Sequence, residues 1–227
     1  QEKFKSDLLS FNDGRPLSWE QEILVSKSLE TIQWLSSHNV KFEPIYSRQS
    51  FLKNGKHIFW GGLTLAAENE GVGLFNQELA AFLSLGGKIF YESPVTNLIF
   101  EDGMVKGIYL KEEKVTSDAV ILASGGFEAN HELRKSYIGD NWLMAKVRGT
   151  PHNTGDGLKM ALDIGAAKHG SYDGCHATPM DLHMKNYGGL DLEPSERKNY
   201  RKICYFLGIM INAKGKRFLD EGKNFRN

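Results

Sequence analysis

Hydrophobic positions along the chain change their spacing several times, and each change predicts an element. From 18 to 37, Ile23, Leu24, Lys27, Ser28, Thr31, Ile32, Trp34 and Leu35 are placed so that apolar positions recur at helical spacing. Ser18, with Gln21 three residues on, supplies an N-cap, so this stretch predicts an amphipathic helix. After His38-Asn39 the run from Val40 to Ile45 alternates like a short strand that ends at proline. Residues 51–60 predict a hairpin, because Asn54-Gly55 offers the two left-handed positions of a tight turn. A second helix is predicted over 74–85, where Leu74, Phe75, Leu79, Phe82 and Leu83 share a face and Gly86-Gly87 ends it.

Dense strand signals follow. The runs 88–92, 95–101, 105–110 and 119–123 are apolar or alternating, and Ser93-Pro94, Asp102-Gly103 and the charged cluster 111–114 separate them. Ala119-Val120-Ile121-Leu122-Ala123 has no polar alternation, the pattern of a parallel strand buried on both faces. A third helix is predicted over 157–167 through Leu158, Met160, Ala161, Leu162 and Ile164, with Asp156 near its positive end. A last strand, 208–212, should turn at Ala213-Lys214-Gly215. No internal repeat or low-complexity linker interrupts the chain.

Composition narrows the function. With 227 residues, 41% hydrophobic, the chain can bury the core of one large domain or two small ones. Its 28 Lys plus Arg balance 28 Asp plus Glu, which argues against nucleic acid or a membrane surface and for a small-molecule partner. No apolar run is long enough to cross a bilayer, and no signal-type segment follows Gln1. Cys175 and Cys204 lack metal-ligand spacing and read as free thiols of a reducing, cytoplasmic compartment. His38, His57, His131, His169 and His183 show no ligand spacing either, so no metal is assigned. Gly71-Val72-Gly73-Leu74-Phe75-Asn76 imitates a dinucleotide fingerprint but puts Asn76 where a small residue belongs, with no clear strand before it.

Two glycine-bearing segments remain as candidate ligand contacts. Ala123-Ser124-Gly125-Gly126 ends an apolar run in residues that let a ligand approach the backbone. On local grounds a simple glycine turn explains it equally well. Thr154-Gly155-Asp156-Gly157 opens a helix whose free N–H groups suit an anionic or electron-rich group. Ordinary capping by Thr154 or Asp156 also explains that sequence, and both can hold at once.

Taken in order, the segment from Ala119 to Phe127, then Asn153-Thr154-Gly155-Asp156-Gly157, then Asp173-Gly174-Cys175-His176-Ala177-Thr178-Pro179, then Gly215-Lys216-Arg217-Phe218-Leu219-Asp220-Glu221 resembles the FAD-dependent fumarate reductase and succinate dehydrogenase flavoproteins. Lys146-Val147-Arg148-Gly149-Thr150-Pro151 and the run from Asp220 to Asn227 are most similar to the tricarballylate dehydrogenases within that family. The resemblance runs from about Phe42 to the last residue. It implies an α/β fold: a partial FAD-binding Rossmann-like domain over 1–127, then part of an α+β substrate-capping domain over 128–227. FAD is the cofactor it implies, held by Ala123, Ser124, Gly125 and Gly126 together with Thr154, Gly155, Asp156 and Gly157.

The same resemblance implies the chemistry. The reaction would be dehydrogenation or reduction of a carbon–carbon bond in a tricarballylate- or fumarate-like polycarboxylic acid, with an electron-transfer protein as a possible partner. His176 would bind a substrate carboxylate, and Arg148 and His152, flanking the helix start, would add positive charge. Alone, a histidine in a glycine-rich stretch is more often structural. Arg226 matches the proton-transferring arginine, with Glu221 as its relay or ion-pair partner. Phe225 stands where the fumarate reductases would carry that arginine, so carboxylate binding is a second role open to Arg226. The family's Gly-x-Gly-x-x-Gly element has no counterpart and is expected upstream of Gln1, and further site residues are expected beyond Asn227. The chain is thus expected to be a piece that binds FAD poorly and is inactive alone. Two alternatives stay open: a flavin enzyme of the ketosteroid or cobalamin-precursor type, or a non-enzymatic α+β binding module whose glycines only make turns.

Overall fold

A computed structural model describes residues 1–12, 14–46, 50–59, 64–202, 205 and 208–221. Arg226 and Cys204 lie outside the described residues. The chain forms two compact units, Gln1–Phe90 and Tyr91–Asn227. The boundary expected at 127 falls inside the second unit.

The first unit opens with α1 (Glu2–Phe11) and α2 (Trp19–Ser37). The predicted start of α2 is met in full. Ser18 Oγ accepts from the Gln21 N–H at 3.3 Å, and Gln21 Oε1 accepts from the Ser18 N–H at 3.0 Å. This reciprocal box satisfies two of the backbone donors that a helix start leaves open. Gln21 also bonds Asn12 just after α1, and Lys5 pairs with Glu22 at 2.8 Å, so polar contacts tie the two helices together, while Val25 is the buried residue of α2. The strand β1 (Phe42–Pro44) pairs antiparallel with β4 (Leu65–Ala67), and β2 (Ser50–Lys53) with β3 (Lys56–Phe59). Between β2 and β3, Asn54 and Gly55 take φ of 52° and 74°, the left-handed pair that a two-residue hairpin requires.

Helix α3 spans Glu70–Ser84, starting earlier than the apolar face predicts and ending at Gly86 with φ 86°. Gly73 is a packing residue: a Cβ there would lie 1.7 Å from the Glu68 carbonyl oxygen. This gives the false fingerprint a structural cause.

The second unit begins with an antiparallel meander of β5 (Val95–Glu101), β6 (Met104–Leu110) and β7 (Glu113–Thr116). Asp102 and Gly103 make the first turn with φ of 54° and 74°. The charged cluster at 111–114, predicted to be a separator, instead carries the start of β7. Every residue of β7 is exposed, so no apolar alternation marks it, and its charges suit an edge strand. Three further strand expectations fail. Residues 88–92 form no strand, and Phe90 and Tyr91 are exposed. Residues 208–212 contribute only an isolated bridge between Ile211 and Arg217, around the predicted turn at 213–215. The run 119–123 pairs with no described strand, and Ile121 is 90% exposed. An apolar run becomes a strand only when partner N–H and C=O groups are present, and apolarity alone does not supply them.

Beyond this run come α4 (His131–Tyr137), a 3₁₀ turn at Asp140–Met144 and α5 (Asp156–Asp163). Helix α5 stops before the predicted 167, because Gly165 takes φ 93° and the Ala166 N–H reaches back to the Ala161 carbonyl. It packs on β5. The core of this unit is small: Leu98, Ile99, Val147, Met160 and Met184. Among the described residues no helix is long and apolar enough to cross a membrane.

Candidate functional site

Two glycine-bearing segments, far apart in sequence, lie against each other. A Cβ at Gly157 would stand 2.1 Å from Ser124 Oγ, and one at Gly125 would stand 2.6 Å from Asn153 Oδ1. At Gly155, whose φ is 85°, a Cβ would meet Leu133 and Phe127 at 2.7 and 3.0 Å. The absence of side chains at these glycines is therefore what lets 123–127 and 153–157 close on one another.

Asn130 fastens the same region. Its Oδ1 accepts from the Leu133 N–H at 3.1 Å, capping α4, while its Nδ2 donates to the Thr154 carbonyl at 2.9 Å. The Ala129 N–H donates to the Asn153 carbonyl at 2.9 Å, and Asn153 Nδ2 to Glu128 Oε1 at 2.5 Å. Thr154 Oγ1 is spent on Asp156 Oδ2 at 2.8 Å. The two candidate cofactor segments, 123–126 and 154–157, are thus brought together.

Beside them opens a cavity of about 690 Å³, of a size for a small ligand. Gly126, Phe127 and Glu128 form part of its wall, Trp142, Lys146 and Arg148 another, and Cys175 and His176 a third. The cavity therefore gathers Gly126, Arg148 and His176 from the residues singled out in the sequence. His152 is exposed and is not part of the wall. Glu221 also lies elsewhere. It is 3% exposed and accepts from the Met210 N–H at 2.5 Å and from Arg217 Nε at 2.7 Å. The Met210 N–H, and then the Arg217 guanidinium, hold its carboxyl below the usual carboxylate range.

Sequence reasoning missed Arg134 and Lys146. Arg134, on α4, is 5% exposed and lines the cavity. Its Nη1 donates to the carbonyls of Trp142 and Ala145 at 2.8 and 2.9 Å. Lys146 Nζ donates to the carbonyls of Leu182 and Met184 at 2.7 and 2.6 Å. Burial pushes the nearby Cys175 thiol up, and the Arg134 charge pulls it the other way. Arg134 carries no motif and Lys146 lies in one without being singled out, because which cations of a polar stretch turn inward is set by contacts 8 to 38 residues distant. Among the described residues no group of three or more His, Cys, Asp or Glu could hold a metal ion.

The donor chemistry at 123–126 fits a flavin nucleotide. These residues are exposed, carry almost no side-chain bulk, and make no hydrogen bond to other backbone among the described residues. The first turn of α5 adds N–H groups suited to an electron-rich ligand.

Comparison with known proteins agrees. A 4-oxocyclohexanecarboxylate 2-dehydrogenase from Sinomonas cyclohexanicum is 31% identical over 157 residues, covering 66% of this chain and 26% of its own. A fumarate reductase (cytochrome) from Shewanella frigidimarina is 35% identical over 119 residues, covering 52% of this chain and 19% of its own. This chain spans about a fifth to a quarter of the length of these relatives. The fold is shared with a 3-ketosteroid-delta4-(5alpha)-dehydrogenase from Rhodococcus jostii, with a TM-score of 0.63 at 19% identity over 97% of this chain and 48% of that one. The FAD binding domain family matches residues 18–226, and this α/β chain belongs to that family, with FAD as its cofactor.

Proposed function

We propose that the chain is part of an FAD-dependent oxidoreductase that dehydrogenates or reduces a carbon–carbon bond of a tricarballylate- or fumarate-like polycarboxylic acid. The observation that carries this reading is the cavity beside the glycine segments, with Arg134, Lys146 and Arg148 as cations and His176 on its wall. FAD, when bound, supplies hydride transfer, and the protein's part is to orient the substrate, bind its carboxylates and move one proton. Ala123 to Gly126 and Thr154 to Gly157 would hold the cofactor over 1–127 and the start of the capping region at 128–227. His176 and Arg148 would bind substrate carboxylates through charge-assisted hydrogen bonds, with His152 adding charge nearby.

Arg226 is assigned the proton transfer. Glu221 is better suited to ion pairing than to relay, because a carboxyl held low is a poor proton acceptor and Arg217 already occupies it. An electron-transfer protein would supply or remove electrons at the flavin. The test is turnover of tricarballylate and fumarate by the full-length protein with Ala at His176 and at Arg226. Each change should lower kcat/KM by at least about 100-fold. Undiminished turnover in both variants would remove the roles given to His176 and Arg226, and absence of turnover in the unsubstituted protein would remove the polycarboxylate reading and leave a flavin enzyme of another substrate class.

A further inference from the structure

Arg134 carries a charge that the cavity does not neutralise. It is 5% exposed, and its two hydrogen bonds both come from Nη1 and end on backbone carbonyls. Its Nε is fully buried without a hydrogen-bond partner. Among the described residues no carboxylate forms an ion pair with Arg134, and no further hydrogen bond reaches its guanidinium. A buried cation in this state is costly unless an anion joins it.

The pattern of used and unused donors has a shape. In a guanidinium, Nε–H and one Nη2–H point the same way and match the two oxygens of a carboxylate, whereas Nη1 lies on the other side. The Trp142 and Ala145 carbonyls take the Nη1 side and leave the Nε–Nη2 edge for something else. The neighbouring carboxylates do not fill it: Glu128 accepts from Asn153, and Asp181 accepts from the His183 N–H at 3.0 Å and pairs with Lys202 at 3.2 Å. Lys146 too is held by carbonyls and not by an acid. Arg134 and Lys146 thus rest on carbonyl dipoles, while Glu128 and Asp181 are held by other partners, so the field at Arg134 favours an entering anion.

We propose that Arg134 anchors a carboxylate of the ligand that occupies this cavity, taking it on the Nε–Nη2 edge. The inference rests on the polycarboxylate reading for the identity of the anion, and it assigns the anchoring to a residue on α4 in addition to His176 and Arg148. The anchor is a planar fork with a permanent charge. It should therefore hold its ligand at a pH of about 8, where an imidazole has lost its proton.

The experiment uses the full-length protein with Arg134→Gln, Arg134→Lys and His176→Ala. Binding of tricarballylate, of its neutral triamide and of inorganic phosphate is followed by intrinsic fluorescence, and KM and kcat by turnover. Arg134→Gln should weaken tricarballylate about 10- to 100-fold and raise KM more than it lowers kcat. Arg134→Lys should recover part of that loss, and the triamide should bind all variants alike. If Arg134→Gln unfolds, the pH series on the unsubstituted protein stands in: carboxylate binding that disappears by pH about 8 would overturn the anchor. So would an unchanged KM in Arg134→Gln, which leaves the polycarboxylate reading intact as long as His176→Ala still loses turnover. Phosphate binding that depends on Arg134 while tricarballylate binding does not would assign the edge to a phosphate group and overturn the proposal. Absence of polycarboxylate turnover in the unsubstituted protein would sink the reading and the carboxylate anchor together.

Discussion

The meander 95–116 and the run 119–126 are neighbours in sequence, and both are rich in apolar residues, yet they form very different structures. In the meander each strand finds its partner across a turn of two residues, so the ladder closes locally. The run at 119–126 has the more continuous hydrophobic stretch, but no described strand pairs with it, and Ile121 and Leu122 are 90% and 41% exposed. Hydrophobicity decides whether a segment gains from burial. Whether it becomes a strand is decided by hydrogen-bonding partners, which for a parallel arrangement lie far off in sequence. What positions 123–126 instead is the close approach of Ser124 to Gly157 of α5 and of Asn153 to Gly125.

Changes in the two regions should therefore differ in size and kind. The largest effect is expected from Gly107→Val in the meander. Gly107 has φ 143°, and a Cβ there would lie 2.1 Å from the Val115 carbonyl oxygen, so both the backbone angle and the β6–β7 ladder oppose a side chain. A loss of roughly 3 kcal/mol in a denaturant titration is expected. A change below about 0.5 kcal/mol would mean that the bulged geometry at Gly107 is not held in solution.

Gly157→Ala acts on the other region and should be milder. Its Cβ meets the Ser124 hydroxyl, a side-chain atom that can turn away, so a cost of about 1–2 kcal/mol is expected. Adding Ser124→Gly should restore part of it, and this non-additivity is the signature of direct contact. Strict additivity in the double variant would show that 123–126 does not rest on α5.

Ile121→Asn gives the smallest expected effect, within about 0.5 kcal/mol, since the side chain has little to lose. A clear drop in melting temperature for this variant would break the comparison, because it would mean that the run is packed in solution.

The sequence made legible whatever is settled within a few residues. Ser18 with Gln21, Asn54-Gly55 and Asp102-Gly103 all act where their chemistry says they should. The run 119–123 and the strand β7 were misread for opposite reasons. One has apolar residues with no partner among the described strands, and the other has a partner but only Val115 as an apolar residue. At the candidate site, the glycine segments and His176 were visible as motifs, while Arg134 was not. Its position depends on the carbonyls of Trp142 and Ala145, which no local pattern announces.

The double bonding of Asn130 has a consequence for which residues can stand there. Many residues can begin a helix: Ser, Thr and Asp offer an acceptor as readily as Asn does. At this position the same side chain must also donate to the Thr154 carbonyl, and a carboxylate has no proton to give. Asn130→Asp, the product of simple deamidation, would keep the start of α4 and release the Thr154 carbonyl from it. The spontaneous ageing of a single amide is thereby a route by which this site could lose its shape while its helices remain.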